Sequence, residues 1–212
     1  MSIGVCDYGV GNLRSVERAL IAAGVDATIS EDASVLASCD GLILPGVGAF
    51  APAADRLRET GVAGVVTEHA SSGKPVLGVC LGHQLLFDRS DEGGGGDGLG
   101  IVPGRVTRLT VAGLKVPHMG WNTLRLTRRS PLLDGLATGN YAYFVHSYGV
   151  TEVAEDDVVA TTDYGPTLIA AVQHGSVFGT QFHPEKSGSA GLRVYANFAR
   201  ICSSRPAPLV AS

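Results

Sequence analysis

An apolar run that ends in a cysteine bracketed by glycines, Val76-Leu77-Gly78-Val79-Cys80-Leu81-Gly82-His83-Gln84, constrains this chain more than any other segment. A buried strand that passes at once into a helix holds the residue at the turn in strained backbone angles, and neither flank tolerates a side chain. The spacing therefore predicts a nucleophile elbow with Cys80 at its tip and Gly78 and Gly82 beside it. The sulfur would sit at a helix N-terminus, where the macrodipole and free N–H groups favour an anion.

A nucleophilic cysteine needs a base, and the best candidate lies about a hundred residues downstream in Phe178-Gly179-Thr180-Gln181-Phe182-His183-Pro184-Glu185. Residues two apart on an extended strand share a face and lie roughly 7 Å apart. Glu185 is expected to hold one imidazole nitrogen of His183 while the other faces Cys80, and Pro184 biases His183 toward extended geometry. Cys80, His183 and Glu185 then form a triad by role. An oxyanion site is expected from Leu42-Ile43-Leu44-Pro45-Gly46-Val47-Gly48, an apolar strand ending in a glycine-rich turn. The N–H groups of Val47 and Leu81 are the expected donors.

Short apolar strands alternate with helical patterns through the first ninety or so residues, which predicts a mostly parallel central sheet with helices on both faces. The expected elements are strands at Ile3–Cys6, Ala27–Ile29, Gly41–Leu44 and Val76–Val79, and helices at Asn12–Ala23, Val35–Ala37, Ala53–Leu57 and Val62–Ser72. Ligands of such sheets sit at the carboxyl ends of the strands, where Val47, Cys80 and His183 fall. After Phe87 the pattern changes. Asp91 to Gly98 reads as a flexible glycine loop, and strands at Val102–Leu109, Val116–His118, Tyr141–Val145, Val158–Thr162, Leu168–Gln173 and Val177–Phe182 predict a smaller antiparallel section packed against the first. Ala190–Ile201 reads as a closing helix. One domain over residues 1–202 is expected, with a frayed tail at 203–212.

Bulk properties exclude several classes. A net charge of -4 and a pI near 5.8 lack the basic footprint of a nucleic-acid binder. No apolar run reaches the roughly 18 residues of a membrane span, despite a mean hydropathy of +0.21. A strand beginning within three residues of Met1 leaves no room for a signal peptide, so a cytoplasmic location is expected. Cys6, Cys39 and Cys202 read as reduced core thiols, and no cysteine–histidine spacing fits a metal. Gly93 to Gly96 match no phosphate-binding loop, so no cofactor is expected. His83 is expected to pack within the helix after the elbow, His69 and His174 to lie at the surface, and His118 and His146 stay open between structure and function.

Together, Gly78-x-Cys80-x-Gly82-His83-Gln84 and Phe182-His183-Pro184-Glu185 resemble the class I glutamine amidotransferases, whose glutaminase domains release ammonia from glutamine. Asp7-Tyr8-Gly9-Val10-Gly11-Asn12-Leu13, Pro117-His118-Met119-Gly120-Trp121-Asn122 and Lys186-Ser187 narrow the resemblance to the glutaminase subunits of imidazole glycerol phosphate synthases, over nearly the whole chain. That resemblance implies that Gly48, Gln84, His146, Ser147 and Tyr148 contact glutamine. It also implies a heterodimer with a (β/α)8-barrel cyclase subunit that uses the ammonia in histidine biosynthesis, faced by Asn12, Met119, Trp121, Tyr143 and Lys186. The chain departs from the pattern at His83, where methionine is more frequent, and at Ala51 and Gly149. Another class I glutaminase, or a cysteine hydrolase of different specificity, would share the triad. The first should lack Pro117 to Asn122 and Lys186-Ser187.

Overall fold

A computed structural model describes residues 1–204. The N-terminal part alternates as the sequence predicts: β1 (Ile3–Cys6), α1 (Leu13–Ala22), β2 (Thr28–Ser30), α2 (Ala33–Ala37), β3 (Gly41–Leu44), α3 (Phe50–Glu59), α4 (Val62–Ser71), β4 (Val76–Val79) and α5 (Leu81–Leu85). β1, β3 and β4 are buried at every position, as strands covered on both faces must be. Helix starts follow local chemistry. Asp32 Oδ1 accepts from the Ser34 and Val35 N–H groups at 2.7 and 3.4 Å to open α2, and Asn12 Oδ1 accepts from Ser15 N–H at 3.4 Å to open α1.

The C-terminal part supplies β5 (Phe87–Ser90), β6 (Gly96–Asp97), β7 (Val102–Arg108), β8 (His118–Thr123), β9 (Arg125–Leu126), β10 (Tyr141–His146), β11 (Tyr148–Glu152), β12 (Val158–Asp163), β13 (Thr167–His174), β14 (Val177–Thr180) and α6 (Gly188–Ser203). The main sheet has eight strands in the order β2-β1-β3-β4-β14-β13-β12-β9. Its first half is parallel, β14 joins β4 in parallel register, and β13, β12 and β9 add antiparallel. Much of the expected antiparallel section thus extends the central sheet instead of packing on it. A β10-β8 ribbon and a small β11-β7-β5-β6 sheet stand apart. Two apolar clusters flank the main sheet: Ile43, Leu77, Phe178 and Phe198 on one side, Leu42, Leu44, Phe50 and Val76 on the other. Alternate residues of β3 and β4 feed opposite clusters, the signature of a sheet buried between layers.

Four further expectations need correction. The strand expected at Val116–His118 begins only at His118 and runs on to Thr123. The glycine loop is ordered into a 3-10 turn, Glu92–Gly94, followed by β6. Its anchor is Glu92, whose Oε2 accepts from the Phe50 N–H at 2.8 Å and supplies the side-chain cap that Ala49 cannot give α3. His69 is buried in α4, its ring nitrogens 3.1 Å from the Val65 and Cys39 carbonyl oxygens. Burial lowers the pKa of the ring, and its single N–H donates to one of these two carbonyls, which lets the neutral imidazole enter the core. Finally, α6 continues through Ser203 with Ser204 as its cap, so the expected tail cannot start at 203, and its remainder lies outside the described residues.

Candidate active site

The elbow is built from backbone contacts. Cys80 sits at φ 54°, ψ −108°, and is the one non-glycine residue with positive φ among the described residues. Such a conformation persists only where the surroundings over-determine it. Here the Cys80 N–H donates to the Thr180 carbonyl at 2.8 Å, tying the turn to the strand that leads to His183. The glycine brackets serve close approach. A Cβ on Gly78 would lie 2.7 Å from the Gly82 carbonyl oxygen, and one on Gly82 would overlap the Leu44 carbonyl oxygen.

His183 does not continue β14. At φ −94°, ψ 100° it is extended, but a 3-10 turn over Pro184–Lys186 begins at the next residue. The turn, not the strand alternation expected from sequence, folds Glu185 back so that its Oε1 lies 2.7 Å from His183 Nδ1. Both side chains are buried, and the Tyr195 hydroxyl donates to Glu185 Oε2 at 3.5 Å. Ser187 clasps this segment to β10: its hydroxyl donates to the His183 carbonyl at 2.6 Å and accepts from the Tyr143 N–H at 3.0 Å.

The bond to Glu185 leaves His183 Nε2 as the free nitrogen, buried and without a hydrogen-bond partner among the described residues. Burial alone would lower the imidazole pKa. The Cys80 sulfur and the Glu185 carboxylate outweigh it and hold the pKa up at about 9. Cys80 and His183 line one cleft of about 310 Å3, together with Val47, Gly48, Leu81, Gln84, His146, Ser147, Tyr148 and Lys186. An enclosed thiol beside a carboxylate-oriented imidazole can add to a carbonyl and protonate the group that leaves.

The glycine turn after β3 meets the elbow differently from expectation. Tyr8 holds it by donating its hydroxyl hydrogen to the Pro45 carbonyl at 2.8 Å. The Leu81 N–H donates to the Gly46 carbonyl at 3.4 Å. Carbonyl and N–H point opposite ways across a trans peptide, so the Gly46–Val47 unit presents oxygen to Leu81, with the Val47 N–H turned away.

The remaining sequence candidates divide cleanly. Gln84 Nε2 donates to the Tyr148 carbonyl and to Gln181 Oε1, both at 2.9 Å, and so braces the cleft wall. Met119 and Trp121 are 61% and 56% exposed, which excludes a core role for Trp121. Trp121 meets Tyr143 edge to face across the β10-β8 ribbon at 6.0 Å, and Lys186 Nζ lies 5.7 Å from the Tyr143 ring centroid. Asn12 is exposed at the start of α1, which packs against the Pro184–Lys186 turn. Two residues escaped the sequence reading. Glu92 lines the cleft from what looked like a featureless loop, and Gln181 Nε2 lies 3.9 Å from Cys80 Sγ. Gln181 precedes His183 by two on the strand exit, a spacing that could have marked it.

Comparison with known proteins agrees with this geometry. The family model Glutamine amidotransferase class-I matches residues 4–202. Curated relatives named imidazole glycerol phosphate synthase subunit HisH include one from Caldanaerobacter subterraneus, 49% identical over 94% of this chain and 98% of its own length. Another, from Geobacillus thermodenitrificans, is 50% identical over 96% and 97%. Among solved structures, a putative GMP synthase subunit from Thermoplasma acidophilum superposes with a TM-score of 0.71 at 24% identity, covering 96% of this chain and 94% of that one. A structure described as a glutamine amidotransferase gives a TM-score of 0.75 at 22% identity, covering 95% and 98%. These two likenesses speak for the fold.

Proposed function

The chain belongs to the class I glutamine amidotransferase family, and from that premise we propose that it is the glutaminase subunit of an imidazole glycerol phosphate synthase in histidine biosynthesis. It hydrolyses glutamine to glutamate and ammonia. The observation that carries this reading is the strained Cys80 sharing a cleft with an imidazole already bonded to Glu185. Near-full-length identity of about 50% to the HisH relatives supports the subfamily.

With the proton already held on His183 Nε2, Cys80 adds through its sulfur to the carboxamide carbon of glutamine. The imidazolium, stabilised by Glu185, protonates the amide nitrogen. Collapse of the tetrahedral adduct breaks the C–N bond, releases ammonia and leaves a thioester on Cys80. Water, deprotonated by His183, then adds to the thioester and frees glutamate, with the proton left on His183. The reaction balances with water alone and calls for no cofactor. Gly48, Gln84, His146, Ser147 and Tyr148 hold the amino-acid part of the substrate. For Val47 and Leu81 to bind the oxyanion, the Gly46–Val47 peptide must turn over, exchanging the Gly46 oxygen for the Val47 N–H. Donors of this kind are worth about 3 to 4 kcal/mol of barrier.

The partner is a (β/α)8-barrel cyclase subunit that consumes the ammonia. Asn12, Met119, Trp121, Tyr143 and Lys186 face it, since an exposed Met–Trp pair beside a cleft is the kind of surface a partner covers. The work of the pair is cytoplasmic; no helix among the described residues is long and apolar enough to cross a membrane. The decisive experiment measures glutamate release by the purified chain with and without the barrel subunit. Turnover is expected to rise on mixing and to vanish in Cys80→Ala, which should keep the wild-type circular dichroism spectrum. Equal activity with and without partner, or retained activity in Cys80→Ala, would refute the reading.

A further inference from the structure

Strand β8 carries more than an exposed face. Met119 and Trp121 point outward, so the alternate residues His118 and Asn122 point inward. His118 is 2% exposed, packed between the rings of Phe144 and Tyr164 at centroid distances of 4.8 and 4.1 Å. Its hydrogen bonds define a direction. A backbone carbonyl can only accept, so the 2.9 Å contact between His146 Nδ1 and the Tyr148 oxygen places a proton on Nδ1. In a neutral ring, His146 Nε2 is then an acceptor, and its donor is His118 Nδ1 at 3.0 Å. His118 Nε2 in turn accepts from Asn122 Nδ2 at 3.2 Å, and the same amide donates to the Asp163 carbonyl at 2.9 Å. Burial lowers the pKa of both imidazoles to about 4, so both are neutral as the pattern requires. The Tyr148 carbonyl also receives Gln84, which reaches Gln181 beside Cys80.

We propose that His118 is a positioning residue for glutamine: by donating to His146 it fixes the ring that holds the Tyr148 carbonyl, and so sets the wall of the cleft from the strand that faces the partner. This rests on the function proposed above, because the wall matters only if glutamine occupies the cleft. His118 itself lies outside the residues that line the cleft, so its influence runs through His146.

The test uses the full chain in complex with its barrel subunit. His118→Phe keeps a ring between Phe144 and Tyr164 but removes the donor. His118→Asn returns an amide N–H near the position of Nδ1. The expected result for His118→Phe is a KM for glutamine raised about tenfold, equivalent to about 1.4 kcal/mol, with kcat within about threefold. His118→Asn should recover most of that loss. Ring-nitrogen NMR should show the His146 Nε2 resonance moving in His118→Phe while the Nδ1–H tautomer persists. An unaltered KM, equal impairment in both variants, or an unmoved Nε2 resonance would overturn the proposal. Absence of glutamine hydrolysis by the wild-type complex would overturn the proposed function and this inference together, whereas normal wild-type turnover with an unaltered KM in His118→Phe overturns the inference alone.

Discussion

Replacing Glu185 by glutamine tests the triad most directly, because shape is preserved and charge is not. The carboxylate lies 2.7 Å from His183 Nδ1 with both side chains buried. The imidazole pKa stands at about 9 against an ordinary 6.5, a preference for imidazolium of roughly 3 kcal/mol shared between Cys80 and Glu185. Removing the carboxylate forfeits part of that preference. The introduced amide can also donate to Nδ1, which moves the ring proton to Nε2 and leaves nothing to accept the thiol hydrogen, a tautomer error that can cost up to about 10⁴ in rate. Glu185→Gln should therefore lower kcat for glutamine hydrolysis in the complex by at least about a hundredfold, with KM within about threefold. The pH dependence has a definite sign. A raised pKa keeps the proton on His183 up to about pH 9, so its imidazole NMR titration should move down toward 6.5 in the variant. A variant with kcat within about threefold of wild type, or an unmoved His183 titration, would refute the argument.

Acid stability should be governed by buried neutral histidines. Burial lowers the pKa of His83 to about 3 and of His118 and His146 to about 4, so below pH 6.5 the unfolded chain binds more protons than the folded one and stability falls with pH. At pH 5 each costs about 2 kcal/mol, and chemical denaturation from pH 7 to 5 should record a loss of several kcal/mol; a flat profile would contradict the burial account. Gly82→Ala forces a Cβ into the Leu44 carbonyl oxygen and should cost more than about 3 kcal/mol or abolish soluble expression. Gly64→Ala, inside α4 with open space at its Cβ, should instead gain about 0.5 to 1 kcal/mol, so the pair read by thermal melting separates close approach from helix propensity. Under the proposed interface, Trp121→Ala should weaken binding of the partner subunit at least about tenfold by calorimetry, as truncating an exposed aromatic anchor does, while the isolated chain melts within a degree or two of wild type.

What could be read from the sequence was what local chemistry dictates. The elbow was visible because a strained turn between packed layers leaves room only for hydrogen at Gly78 and Gly82, and that requirement is written into the residue types. The triad members were visible as a distant His-x-Glu, yet the spacing suggested a strand where a 3-10 turn performs the same alignment. Sequence fixes which groups must meet more firmly than how the backbone brings them together. Burial of single polar residues was less legible. His69 reads as surface until the two carbonyls that flank its ring, one of them thirty residues away, are in place, and Glu92 reads as loop until it caps α3. Peptide orientation was illegible. Nothing in Pro45-Gly46-Val47-Gly48 says which way the Gly46–Val47 unit faces, since glycine on both sides makes either orientation accessible. In the structure the Gly46 carbonyl accepts from the Leu81 N–H at 3.4 Å, one of the two orientations that the flanking glycines leave open to the turn.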